Sequence, residues 1–240
     1  MNLYDNIFIP SNCKHVKLDI GLSYTAPISN KWLIKEPNVL VLGYEPVIAN
    51  CNNILSINNG IPHQFPDFVL EKKFIQEKRF QLFNYALDNV NELKEGEIIV
   101  NKRDRGTSSL YSHNQITLGP IDYKQSVQII SLKMIFDKFP WDKFEYIDYI
   151  KIDAQGSDLN ILKSAGDYLK EKVVYVTAEP DGHYYIGAEN NTEENITSYM
   201  ESQNFERINH PFTVDPTYIN KKFINMKDEI FIHQCGNWPC

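Results

Sequence analysis

Ten residues from Ile147 to Gly156 (Ile-Asp-Tyr-Ile-Lys-Ile-Asp-Ala-Gln-Gly) constrain this chain more than any other stretch. Apolar residues lead to an aspartate, and a glycine then opens the chain toward a helix. A buried parallel strand delivers a carboxylate in this way to the carboxyl-terminal edge of a sheet, where α/β proteins build their sites. The pattern recurs at Val16-Lys17-Leu18-Asp19-Ile20-Gly21, and a third apolar run from Val39 to Gly43 leads to Tyr44-Glu45-Pro46. Three acid-tipped strands on one edge point to a nucleotide-like ligand.

The remaining segments alternate between strand and helix. Pro27, at home in a first helical turn, predicts a short helix over 27–35 that Pro37 closes. A second helix is expected over 47–54, then a loop around Gly60-Ile61-Pro62. Residues 67–78 fit neither period cleanly and stay open between helix and strand. Phe80 to Ala86 reads as a third strand. Gly96–Val100 and Ser126–Ile130 flank a hairpin-like excursion carrying Arg105 to Leu110, so 96–131 reads as an insertion. A helix over 132–139 stops at Pro140.

After the focal strand, Ser157 is placed to cap one helix through Leu159, Leu162, Ala165 and Leu169. Val173 to Ala178 is a buried strand tipped by Glu179. Thr192 caps a helix ending at Asn204, and 205–208 and 229–233 read as the last two strands. This alternation predicts one doubly wound α/β domain over 1–240, with a lead of 1–15 and a tail of 235–240.

A net charge of −7 argues against the basic field of a nucleic-acid binder. The four cysteines (Cys13, Cys51, Cys235, Cys240) form no C-x-x-C pair, which predicts reduced thiols and no metal pattern. The first ten residues lack the basic and apolar regions of a secretory signal, and no apolar run nears ~20 residues. The expectation is a cytoplasmic protein with neither membrane nor nucleic-acid partners.

The candidate site residues follow from the strand ends. Asp19-Ile20-Gly21 resembles the first loop of a Rossmann-like nucleotide site, with the glycine allowing a tight turn and the aspartate orienting amides or a ligand amine. Glu45, ending the next strand, stands where an acid accepts both ribose hydroxyls, and Pro46 and Val47 offer a surface for adenine. The sequence has neither G-x-G-x-x-G nor a P-loop, which favours S-adenosylmethionine, a cofactor without phosphate, over a dinucleotide. Gly21, Leu22, Ser23, Glu45, Pro46, Ala86, Ser108 and Ser109, with Asp19, are therefore expected to bind the cofactor.

Asp153 is the expected polar centre, suited to position the cofactor, orient an acceptor hydroxyl, take its proton, or help hold a divalent metal. No metal ligand set is indicated, and the plainer role for Asp153 is a helix-capping acid. Glu179 stands one strand over, with burial against Lys151 as its plain alternative. His183, near these acids, is the candidate general base, against the alternative of an exposed loop histidine. The basic run Lys102, Arg103 and Arg105 suits an anionic group of cofactor or substrate. Tyr111, Tyr184 and Tyr185 offer stacking surfaces for a sugar.

These residues carry a family likeness. Asp19-Ile20-Gly21, Glu45-Pro46, Ser108-Ser109-Leu110, Ile150-Lys151-Ile152-Asp153 with Gly156 and Asp158, and Glu179 together resemble the FkbM-type methyltransferases over about 16–233. The resemblance implies a Rossmann-like class I methyltransferase fold, mostly parallel with an antiparallel last strand. It also implies O-methylation of a hydroxyl on a small-molecule or carbohydrate acceptor. Two positions depart from the family pattern: Thr25 replaces a second glycine, and Gln155 replaces an acid. Thr25 supports the rival expectation, a non-catalytic S-adenosylmethionine-binding module that retains the fold. An aminopropyl transferase is a third, weaker alternative, because no paired-acid polyamine signature is evident.

Overall fold

The computed structural model describes residues 7–56, 69–113, 115–208 and 215–226. The predicted loop at 60–62, the strand at 229–233 and the 235–240 tail lie outside these. In chain order the first elements are β1 (His15–Ile20), α1 (Pro27–Lys35), β2 (Val39–Tyr44), α2 (Ile48–Ser56), α3 (Lys72–Gln76) and β3 (Phe80–Phe83). Next come β4 (Ala86–Leu87), β5 (Lys94–Asn101), β6 (Ser112–His113), α4 (Gln115–Leu118), β7 (Ile121–Ile130) and α5 (Leu132–Phe136). The remainder are β8 (Ile147–Ile152), α6 (Asp158–Ser164), α7 (Asp167–Lys172), β9 (Val173–Ala178), β10 (Tyr185–Ile186), α8 (Glu193–Ser202), β11 (Phe205–Ile208) and β12 (Thr217–Asn220).

Seven strands form the central sheet in the order β11-β12-β9-β8-β1-β2-β3. β9, β8, β1, β2 and β3 are parallel, and β12 runs against both of its neighbours. Being buried on both faces, these strands read as continuous apolar runs. Val16, Leu18, Ile20, Ile150 and Ile152 pack on one face beneath α5, α6 and α8. Val39, Val41 and Tyr149 pack on the other against Trp32, Leu33 and Phe74 of α1 and α3.

Register determines where the site falls. Ile20 pairs with both Tyr44 and Ile152, Tyr44 with Phe83, and Ile152 with Ala178. Five parallel strands therefore end at one level, and Gly21, Glu45, Asn84, Asp153 and Glu179 leave the sheet side by side.

The expected excursion is present as the antiparallel pair β5 and β7, which forms a three-stranded sheet with β4. Its apolar side packs Ile98, Val100, Val127 and Ile129 against Val47. The loop beyond β5 folds back, and a bridge between Ile99 and Ser109 returns it over the ends of β1 and β2. A short ladder of β6 and β10 ties this loop to the chain after β9.

Four expectations need correction. The strand predicted to reach Ala86 stops at Phe83, because the Asn84 amide donates to the carbonyls of Glu45 and Pro46 and turns the chain; Ala86 then begins β4 in the other sheet. The helix predicted to Phe139 stops at Phe136, whose carbonyl accepts the Trp141 indole N–H. The single helix after Gly156 is two, divided at Gly166 (φ +58°), and Ser157 makes no side-chain cap. Strand β12 was not foreseen: its four residues are too short to show a period. Residues 72–76 settle as helix.

Candidate active site

A cleft of about 540 Å³, part of it open to solvent, lies at the carboxyl ends of β1, β2 and β8. Gly21 and Ser23 form one wall, Glu45 and Pro46 the next, Ala86, Leu87, Ile98 and Leu110 an apolar side, and Asp153 to Gln155 the far end. Ser108 and Ser109 complete the lining from the excursion.

Gly21 is required by close approach. Its φ is +80°, and a Cβ there would stand 1.8 Å from the Asp153 carbonyl oxygen. Lys151 stitches the same junction, donating to the Gly21 carbonyl at 2.8 Å and to Asp153 Oδ2 at 3.1 Å. The loop to α1 bends through Ser23 (φ +56°) and Ala26 (φ +50°), whereas Thr25 is outside the left-handed region. A side chain at position 25 therefore costs the loop no backbone strain. The Thr25 carbonyl accepts from Leu70 N–H.

Asp19 lies beneath the cleft rather than in it. Its Oδ2 accepts from Ser29 N–H at 3.0 Å and Ser29 Oγ at 2.6 Å, anchoring α1 to β1. Burial pushes its carboxyl up, against the pull of Lys151 and Ser29. Leu22 is likewise in the core and absent from the lining.

Glu45 does face the cleft. Its Oε1 accepts from Val47 N–H at 2.9 Å and from Asn50 Nδ2 at 3.1 Å. Burial outweighs these donors and pushes the carboxyl up to about 7.

The serines of the excursion serve as fasteners. Ser108 Oγ donates to the Arg105 carbonyl at 2.8 Å, and Ser109 Oγ donates to the Gln155 carbonyl at 2.6 Å. Arg105 lines the cleft and is exposed; Lys102 and Arg103 are exposed outside the lining.

Around Asp153 the acids crowd. Its side chain is 36% exposed and holds the Lys151 ammonium. Burial pushes Asp153 up, but Lys151 and donors from Glu179 and Gln155 outweigh that and hold it below the usual carboxylate range. The negative charge of Asp153, with burial and their mutual hydrogen bond, pushes Glu179 up to about 11. Burial and then Asp153 push Asp181 up to about 7, and burial lifts Asp215 to about 6. Asp158, raised by burial and by Asp181 and Asp153, accepts the backbone N–H groups of Ala154 and Glu179.

His183 is not brought to this group. Its ring is exposed and packs on Tyr184 at 3.8 Å between centroids, away from the lining. Tyr185 is buried and its hydroxyl donates to Gln155 Oε1, while the Tyr111 hydroxyl accepts from Asn160. Sequence reasoning missed Asn50, Asp181 and Asp215 and gave Gln155 no role. Gln155 was visible as a departure from the family pattern, whereas Asp215 has no local signal.

Among the described residues, no group of three or more His, Cys, Asp or Glu side chains is arranged to hold a metal ion. No helix among them is long and apolar enough to cross a membrane. A mostly parallel α/β sheet of this order, with its cleft at the carboxyl edge, fits a methyltransferase-like fold. Residues 33–207 match the Methyltransferase FkbM domain, and the chain belongs to that family. The match holds Glu45, Ser108, Ser109, Asp153 and Glu179, while β1 with Asp19 and Gly21 precedes it. A comparison with curated proteins finds no match.

Proposed function

We propose that this protein is an S-adenosylmethionine-dependent O-methyltransferase on a doubly wound, Rossmann-like class I fold, acting in the cytoplasm on a hydroxyl of a small-molecule or carbohydrate acceptor. The observation that carries the reading is Glu45, a buried acid on the cleft wall at the end of the second parallel strand, where a ribose is recognised. The rest of the cleft fits the same ligand. Ala86, Leu87, Ile98 and Leu110 give an apolar side for a flat base, and the Gly21 turn and Asp153 give a polar far end.

The cofactor, when bound, supplies an electrophilic methyl group on a sulfonium. The protein's share is alignment and proton handling. Glu45 and the apolar side hold the nucleoside, and the Gly21 carbonyl and the Ser23 turn set the depth of the cleft. Asp153 orients the acceptor hydroxyl through its open carboxylate edge.

Calorimetric titration with S-adenosylmethionine and its demethylated product tests the reading. Micromolar binding of both is expected. Glu45→Ala should weaken each at least tenfold, about 1.4 kcal/mol, with unfolding still cooperative. Wild-type protein that binds neither ligand overturns the proposal.

A further inference from the structure

Gln155 holds a costly position at the end of the cleft. Its backbone is left-handed (φ +51°), a conformation that any Cβ disfavours, and its side chain is tied on both ends. Nε2 donates to Asp153 Oδ1 at 2.5 Å and to Glu179 Oε2 at 3.0 Å. Oε1 accepts from the Tyr185 hydroxyl, and the backbone carbonyl accepts from Ser109. The residue thus joins β8, β9, β10 and the excursion at one point.

Because one amide nitrogen reaches both carboxyls, Asp153 and Glu179 are held close together. Two ionised carboxylates held this close repel each other, which favours one proton on the pair. Lys151 sits 3.1 Å from Asp153 and draws the negative charge there, leaving the proton on Glu179. Glu179 accepts from Gln155 through Oε2. Asp158, Asp181 and Asp215 face the pair from α6, the turn after β9 and the approach to β12, and their field holds the proton in place. Tyr185 closes the network from β10. An ionised acid at position 155 would offer no donor and would press a second negative charge on the pair.

We propose that Gln155 and Glu179 are positioning residues for Asp153, the Gln155 amide bridging the two carboxyls and locking Asp153 in one arrangement on the cleft wall, with Glu179 the uncharged member of the pair. The proposal rests on the reading above only in taking Asp153 as the group that meets the acceptor. The arrangement itself is tested on the free protein.

The experiment is a carboxyl ¹³C NMR titration of the full chain, with Asp153→Asn and Glu179→Gln assigning the two signals. Glu179 should keep its proton at pH 8, while Asp153 stays ionised from below the usual range. Two carboxyls that both ionise near the ordinary ~4 overturn the proposal.

In Gln155→Glu the Asp153 midpoint should rise by about 1–2 pH units as its donor is lost. Gln155→Ala removes the amide without adding charge, should move the midpoint in the same direction, and serves if the glutamate variant does not fold. A glutamine that matters only to structure would lower Tm and leave the Asp153 midpoint in place, which overturns the positioning role.

Glu179→Gln puts an uncharged side chain of the same shape beside Asp153. It should retain Tm and hold S-adenosylmethionine affinity within about threefold. A loss of tenfold or more would mean that Glu179 works as an anion. Wild-type protein that binds no cofactor, yet gives the expected titration, would sink the cofactor reading and leave this one standing.

Discussion

Gly21→Ala isolates the contact on which the cleft is built. The added Cβ would lie 1.8 Å from the Asp153 carbonyl oxygen and 2.7 Å from its carbon, both backbone atoms with no room to swing away. Relief requires β1 and β8 to part at their ends. That stretches the bond from Asp153 N–H to the Ile20 carbonyl (3.0 Å) and the bond from Lys151 to the Gly21 carbonyl (2.8 Å). Left-handed strain of about 1–2 kcal/mol, together with weakening of these bonds, puts the loss at about 3–5 kcal/mol. For a chain of this size that is a fall in Tm of roughly 6–20 °C.

Gly166→Ala is the internal control. Its φ is +58° and ψ −143°, but a Cβ there meets nothing within 4 Å, so only backbone strain of about 1–3 kcal/mol applies. Urea unfolding of both variants at constant m gives the comparison. Equal losses at the two glycines would refute the close-approach argument, since backbone conformation alone would then account for both.

Two further outcomes follow from buried charge. Glu45 rises from its usual 4.5 to about 7 because burial disfavours its anion. A raised folded value favours the fold at low pH, and that contribution is lost as pH climbs from about 4.5 through 7. Glu45→Gln should therefore gain up to about 3 kcal/mol on wild type between pH 5 and pH 8 in urea unfolding; a difference that does not change with pH would contradict it. His15 Nδ1 stands 3.0 Å from Asp148, and that bond, reinforced by the charges of Asp148 and Glu36 against burial and Lys17, raises the histidine. Its contribution is complete below ~6.5 and fades as pH rises through the raised value, so Tm should fall more from pH 6 to pH 8 in wild type than in His15→Asn. Parallel falls would remove the ion pair from the account.

The reading of this chain from its residues succeeded where one local rule decided the outcome. Pro27 and Pro37 bracket α1 to the residue, and Thr192 does cap α8 through Asn195 N–H. It failed where a distant group intervened. Asn84 is unremarkable in sequence, yet its bonds to the carbonyls of Glu45 and Pro46 end β3. Ser157 looks like a helix cap, but its side chain makes no cap bond, and the first-turn Leu159 N–H donates to Asn191, 32 residues further on. Asp19, expected at the ligand, spends its carboxylate on Ser29, ten residues away in sequence.

Apolar runs tipped by Asp19, Glu45, Asp153 and Glu179 determined by themselves that parallel strands end in carboxylates on one edge, because a strand buried on both faces leaves polar chemistry to its ends. What those carboxylates do was decided only in three dimensions. Strand register places Glu45 on the cleft wall, α1 draws Asp19 beneath it, and the convergence of β8, β9 and β10 sets Asp153, Glu179 and Gln155 in contact. The ionisation of a carboxyl depends on the charges and donors within a few ångströms of it. That neighbourhood is assembled from segments far apart in the chain, so it belongs to the fold.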